Sequence, residues 1–435
     1  MTMKRLKYSI IFSYLALFVF LALYDERLDP ELARELAAPR PKVIEPDNAW
    51  LAMLGIDAPT GASPVASGEK QMWAIEKAIK DGKSTGEFIS ASFAEKSELS
   101  FKGKLPPFYG KENSGVMSYA INHPAEVASL SRDNSELLRR YEQFHMLTSF
   151  TEPLEYGYYS PFPHFAPTLS TQKLLFLRLA LQAGQGDLTG ALTGLRDDIA
   201  FWRLVARNSR TLISKIIGFA ALNNDLRFVA ELGSSRPLTP PESALVKELL
   251  HPFDKGEVSL AKAFQGEALY NYYGMEQSTW NTLKPWSPKR LIMKRNATIN
   301  RIHANYSEFA RQAALPPQQY AEEQKRYASR NAESYKVGIA GLYNLTGEIL
   351  ALIAIPQLSA YIEKGHNMEG LRRLALLKVL AHAKRLPQER MQAFLDAHAA
   401  DLGDPHTGKP MKWDAKNRRI FFQTLSGEGS VELYL

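Results

Sequence analysis

A mainly α-helical fold is predicted by two observations. Apolar residues recur at steps of three and four between Thr171 and Leu226, the period of a helix buried on one side. Ser/Thr/Asp-x-x-Glu signals stand ahead of apolar runs, where helix N-termini are capped. Alternating strand patterning is confined to the C-terminal end. The expected architecture is a multi-helix body of packed αα-hairpins, with an N-terminal transmembrane helix and a small C-terminal antiparallel β element. Residues 1–24 read as a signal anchor, 25–67 as a Pro-rich stalk, 68–400 as the helical domain, and 401–435 as a turn followed by the β element.

The anchor rests on Tyr8–Tyr24, an uncharged run preceded by Lys4, Arg5 and Lys7. Its 17 residues span about 25 Å as a helix, close to the ~30 Å hydrocarbon core. Ala22-Leu23-Tyr24 puts a bulky ring where signal cleavage needs a small residue, so the anchor is expected to stay attached. The basic flank then places the N-terminus in the cytoplasm and the bulk in the periplasm, as a single-pass protein of a bacterial inner membrane. In the stalk, Pro30, Pro39, Pro41, Pro46 and a Thr60–Pro64 stretch favour extended chain, while Trp50, Leu51 and Leu54 are positioned to dock on the body.

Within the body, Asp133 to Glu136 has a capping-box layout and opens a helix toward His145. Tyr156–Pro167 holds three prolines among many rings. It reads as an ordered loop pinned by those rings, with an exposed aromatic ligand platform as the alternative. Thr171–Ala183 and the stripe Leu188, Leu192, Leu195, Ile199, Trp202, Ala206 form a helical hairpin about the Gly184–Asp187 turn, and Leu212, Ile216, Phe219 and Leu226 continue it. Asn223 on that stripe reads as an interior hydrogen bonder. Thr239-Pro-Pro-Glu242 caps a helix through Leu250, and a further helix runs through Tyr273. Later helices are expected over 297–314, 317–355 with an interruption, 368–384 and 387–400. Val337–Ile355 is long enough to cross a membrane, but Glu348 inside it would cost about 2.5–3.5 kcal/mol on insertion, so a buried helix is expected. Strands are expected at Met411–Trp413, Arg419–Thr424 and Val431–Leu435.

The chain of 435 residues carries a net charge of +7 and no cysteine. Disulfides, thiolate metal sites and a Cys nucleophile are therefore excluded. The positive excess is local, with three charges in the anchor flank and six in 277–307; elsewhere acids and bases nearly cancel. Lys284, Lys289, Arg290, Lys294, Arg295 and Arg301, interleaved with Trp280 and Trp286, make 277–307 the candidate binding patch. It reads as a solvated face whose charges meet Glu and Asp elsewhere in the fold or, as a binding surface, suits an anionic lipid surface or an envelope protein partner; a periplasmic address argues against nucleic acid.

Chemistry-bearing motifs are sparse, and no cofactor is expected. The phosphate-loop-like Lys80–Ser84 stretch lacks its first glycine, Lys77 standing in that place. The candidate metal ligands are His398, Asp401, Asp404 and His406, an imidazole–carboxylate set around an ordinary turn. The candidate catalytic groups are Glu348, His398 and Asp404.

At the C-terminal end, an apolar helix bearing Asn344 ends at Pro356, then come a leucine-rich helix, a Pro387-initiated one, and Asp404-Pro-His-Thr-Gly-Lys-Pro410 ahead of Trp413. This resembles a group of uncharacterised bacterial envelope proteins with a membrane anchor, a helical body and an Asp-Pro-x-Thr-Gly-x-Pro ending. The resemblance implies the layout and no activity. The expected function is that of a membrane-anchored periplasmic binding or scaffold protein. The alternatives are an envelope hydrolase or transferase using carboxylate/His chemistry, and a lipid-binding helical protein.

Overall fold

The computed structural model describes residues 12–14, 16, 24–82, 99–108, 115–280, 287, 293–330, 343–353, 355–427 and 429–435. These form a mainly helical body with a three-stranded antiparallel sheet at the C-terminal end.

The hairpin at the centre follows from its sequence. Helix Phe165–Gly184 stops where Gly186 takes a φ of +102°, and Asp187 accepts the Gly190 N–H at 2.8 Å to start helix Leu188–Asn208. The predicted stripe from Leu188 to Ala206 is buried throughout. Helix Leu212–Gly233 closes the layer, with Phe228 stacked on Phe176 at a ring separation of 4.9 Å. Thr239 and Glu242 form the expected capping box of helix Pro240–Leu249. Helix Ile355–Ala383, longer than the spacing suggested, packs along helix Leu212–Gly233.

Three local expectations are corrected. Asp133 ends helix Pro124–Asp133 instead of capping the next; helix Ser135–Phe144 begins after Asn134, and Glu136 pairs with Arg139 and Arg140. Asn223 is half-buried and accepts from Arg227 at 2.9 Å; the interior polar groups of that helix are Ser214, Lys215 and Asp225. Residues 25–67 are not a stalk throughout. All six residues of helix Ala49–Leu54 are buried, and helix Pro64–Lys80 begins inside the expected linker. The two helices touch backbone to backbone: a Cβ on Gly68 would stand 2.2 Å from the Leu51 carbonyl oxygen. Arg140, fully buried, fixes the loop beyond by donating to the carbonyls of Ile56 (2.8 Å), Ala58 (2.7 Å) and Pro59 (2.6 Å). Composition suggested an open linker because prolines and glycines flank a helix too short to show a period.

An N-terminal transmembrane helix is not supported. Among the described residues no helix is long and apolar enough to cross a membrane, and most of residues 8–24 lie outside the described residues. Of 337–355, residues 337–342 lie outside them too; Leu345–Ile353 is a nine-residue helix. The expected C-terminal strands are present as β1 (Lys412–Asp414), β2 (Arg419–Gln423) and β3 (Ser430–Tyr434), in the order β1-β2-β3. Ile420 pairs with Trp413 and Leu433, so one face of the sheet turns its apolar side chains to the body. Gly370 lets the ring of Phe422 lie on the long helix, where a Cβ would meet Phe422 Cζ at 2.3 Å.

Candidate functional site

The basic segment is drawn into the fold rather than spread over a surface. Trp280, a member of the candidate binding patch, is buried at 7% exposure. Lys294 is also buried. Arg295 pairs with Glu276, just ahead of the segment, at 2.5 Å, and Arg301 with the more distant Glu348 at 3.2 Å. Lys284, Trp286, Lys289 and Arg290 lie outside the described residues.

What the segment does is receive the start of the body. Asp25 accepts the N–H groups of Asn296 (2.8 Å) and Ala297 (3.1 Å), capping helix Arg295–Ala313, and Asn300 receives the Asp29 N–H at 2.8 Å. Tyr24 packs on Tyr343 at a ring separation of 6.3 Å, and the Tyr343 hydroxyl donates to Glu26. Asn344 completes the junction, accepting from Lys294 N–H (2.8 Å) and Thr298 (3.0 Å). Beside it, Leu345, Ile349 and Leu350 are exposed at 38%, 47% and 43%, against the expectation of a buried helix.

The candidate catalytic and metal groups do not converge. Glu348 faces Arg301; His398 packs on Phe394, with Nδ1 2.8 Å from its carbonyl; Asp401 is exposed. Asp404 is spent on its own turn, accepting from the His406 N–H (2.9 Å) and the Thr407 hydroxyl (2.8 Å). His406 is buried, with Nε2 2.8 Å from Asn367 Oδ1. Among the described residues no group of three or more His, Asp or Glu side chains is placed to hold a metal ion.

A polar cluster missed in the sequence lies inside the central helices. Asp198 accepts from the Tyr141 hydroxyl (2.6 Å), His145 (3.1 Å) and Gln172 (2.9 Å), and Gln172 also reaches Asp225 at 3.2 Å. Burial, then the charge of Asp198, pushes the Asp225 carboxyl well above its usual range, while hydrogen bonds from His145 and Tyr141 outweigh burial at Asp198 and hold it low. The pair is thus one neutral and one ionised carboxyl, sealed in the core.

A cavity lies elsewhere, between the helical body and the sheet, with a volume of about 590 Å³. Glu231 and Lys378 line it. Glu231 accepts the N–H groups of Val116 (3.1 Å) and Met117 (2.8 Å), and burial, relieved by those bonds, raises its carboxyl. Burial lowers the Lys378 ammonium, with Glu231 opposing. Met391 and Trp413 supply apolar wall, and Arg385 and Arg418 stand at the rim. Neither arginine was singled out by sequence, because each follows an unremarked turn. No protein-family model matches the chain, and no curated protein or solved structure matches it either.

Proposed function

We propose that the protein is a single-pass binding protein of the bacterial cell envelope. Residues 8–24 anchor it in the inner membrane, the N-terminus is cytoplasmic, and the helical body lies in the periplasm against the bilayer. It acts by presenting a surface and a cavity to a partner rather than by chemistry.

One observation carries the reading: the chain leaves its uncharged segment at Tyr24 and is tied at once to the body, beside the exposed apolar side chains of Leu345, Ile349 and Leu350. A stalk would leave the body free to turn away, whereas this junction holds the apolar face near the headgroups, where its burial is favourable. Phe12 and Tyr14, 71% and 70% exposed, suit contact with lipid. A hydrolase or transferase is disfavoured because Glu348, His398 and Asp404 are engaged with separate neighbours.

The absence of cysteine makes the test clean. Two single variants of the full chain are compared: Ile349→Cys and, as a control, Met146→Cys, whose native side chain is 80% exposed. A water-soluble maleimide should label the Met146→Cys variant rapidly in both amphipol and liposomes. It should label the Ile349→Cys variant at least tenfold more slowly in liposomes than in amphipol. Equal rates for the Ile349→Cys variant in the two settings would refute the apposed body.

A further inference from the structure

We infer that the cavity between the helical body and the sheet binds a small amphipathic organic anion, with an oxyanion head held by Arg385 and Arg418 and an apolar tail on Trp413 and Met391. The inference rests on the reading that the protein acts by binding, and it adds the class of ligand.

Among the described residues, the non-glycine residues with positive φ are Arg385 (+48°) and Arg418 (+51°), and both line this cavity. Each occupies a place where glycine or asparagine is the usual choice. Arg385 follows helix Ile355–Ala383 in a closing turn, with its own N–H on His382 O (2.9 Å) and the Leu386 N–H on Ala381 O (3.0 Å). Arg418 lies in the turn between β1 and β2. A side chain that disfavours the backbone at two distant points of the sequence, of the same type and converging on one cavity, indicates that the side chain is used. No hydrogen bond or ion pair between described residues engages either guanidinium.

The surrounding charges favour an anion. Lys378 joins the two arginines, and the acidic side chain in the lining, Glu231, is committed to the N–H groups of Val116 and Met117. A guanidinium presents a planar fork that matches two oxygens of a carboxylate or phosphate. The volume of about 590 Å³ falls within the range of small-molecule sites, roughly 300–1,000 Å³.

The test is calorimetric titration of the full chain in phosphatidylcholine nanodiscs, with empty discs as blank. The probes share an eight-carbon tail: octanoate and octyl phosphate, against octanol and octyltrimethylammonium. At least one anion should bind with one site per chain, and the neutral and cationic probes at least tenfold more weakly. The double variant Arg385→Gly/Arg418→Gly should weaken the anion at least tenfold while its melting temperature does not fall, because glycine suits both backbones. Octanol binding as tightly as the anions, or undiminished anion affinity in the double variant, overturns the inference. Maleimide labelling at position 349 is independent of these two arginines, so a failure here leaves the membrane reading standing.

Discussion

Asp198 and Asp225 show how much one proton decides at the residue scale. Both carboxyls are fully buried, and two ionised carboxylates sharing Gln172 would repel with nothing to screen them. With Asp225 neutral, its hydroxyl serves Asp198 as a fourth donor. The carboxyls are therefore unequal under the same substitution. Asp225→Asn keeps a donor toward Asp198 and should change stability by less than about 1 kcal/mol. Asp198→Asn replaces an ionised acceptor of three hydrogen bonds with an amide that must turn N–H groups on donors, and should cost about 2–4 kcal/mol. Urea denaturation of the two variants measures the difference, and equal losses would show the proton to be placed otherwise. Lys215 follows the same logic of satisfied burial. Its ammonium donates to the carbonyls of Ala206 (2.5 Å), Gly256 (2.9 Å) and Glu257 (2.9 Å), so it holds a charge in the core until pH reaches about 7, the value to which burial lowers it.

At the scale of elements, the sheet is held to the body by a close approach that one methyl group disrupts. Gly370→Ala places a Cβ about 2.3 Å from the Phe422 ring, and overpacking of this kind costs about 1–3 kcal/mol. Because the sheet carries Trp413 and the β1–β2 turn carries Arg418, the variant should weaken anion binding in the cavity as well as lower the melting temperature. Titration beside a thermal melt reads both, and a melt lowered with affinity intact would show that the sheet does not position the site. The helical hairpin was legible in the sequence because a stripe from Leu188 to Ala206 is a local property. Helix Ala49–Leu54 was not, since six wholly buried residues leave no polar face to define a period. In the basic segment, the pairing of Arg295 with Glu276 and of Arg301 with Glu348 is that of a face whose charges meet acids elsewhere in the fold, though which acids is settled only by folding. The strands were legible from alternation and turn residues, yet nothing local marks Arg385 and Arg418 as lining one cavity.

Across the whole molecule, stability between pH 3 and 7 is the resultant of two opposed sets of groups. Glu136 and Glu242, held down to about 2 chiefly by Arg139 and Arg236, are ionised when folded at pH values where the unfolded chain has taken up protons. Their contribution is present above pH 4.5 and is lost as pH falls through the folded value. His366, pushed down to about 4 by burial, adds to that acid loss below its unfolded pKa of 6.5. Glu267 acts in the other direction. Burial pushes it up to about 7 even though it accepts the Leu212 N–H at 2.7 Å. Between pH 4.5 and 7 the folded chain keeps a proton that the unfolded chain has released, so stability falls as pH rises through that window, by at most about 3 kcal/mol. Asp225 and Glu231, raised likewise, steepen the same slope. Within this range the raised carboxyls pull the stability maximum to the acid side of neutral, against His366. Glu267→Gln keeps an acceptor for Leu212 while removing the titrating proton, so it should flatten the decline between about pH 5 and 7 and leave the acid limb unchanged. Melting temperatures of both proteins at half-unit intervals across the range would decide this. A native profile that rises steadily to neutrality would mean that Glu267 is ionised in the fold, with its charge stabilised by the start of helix Leu212–Gly233.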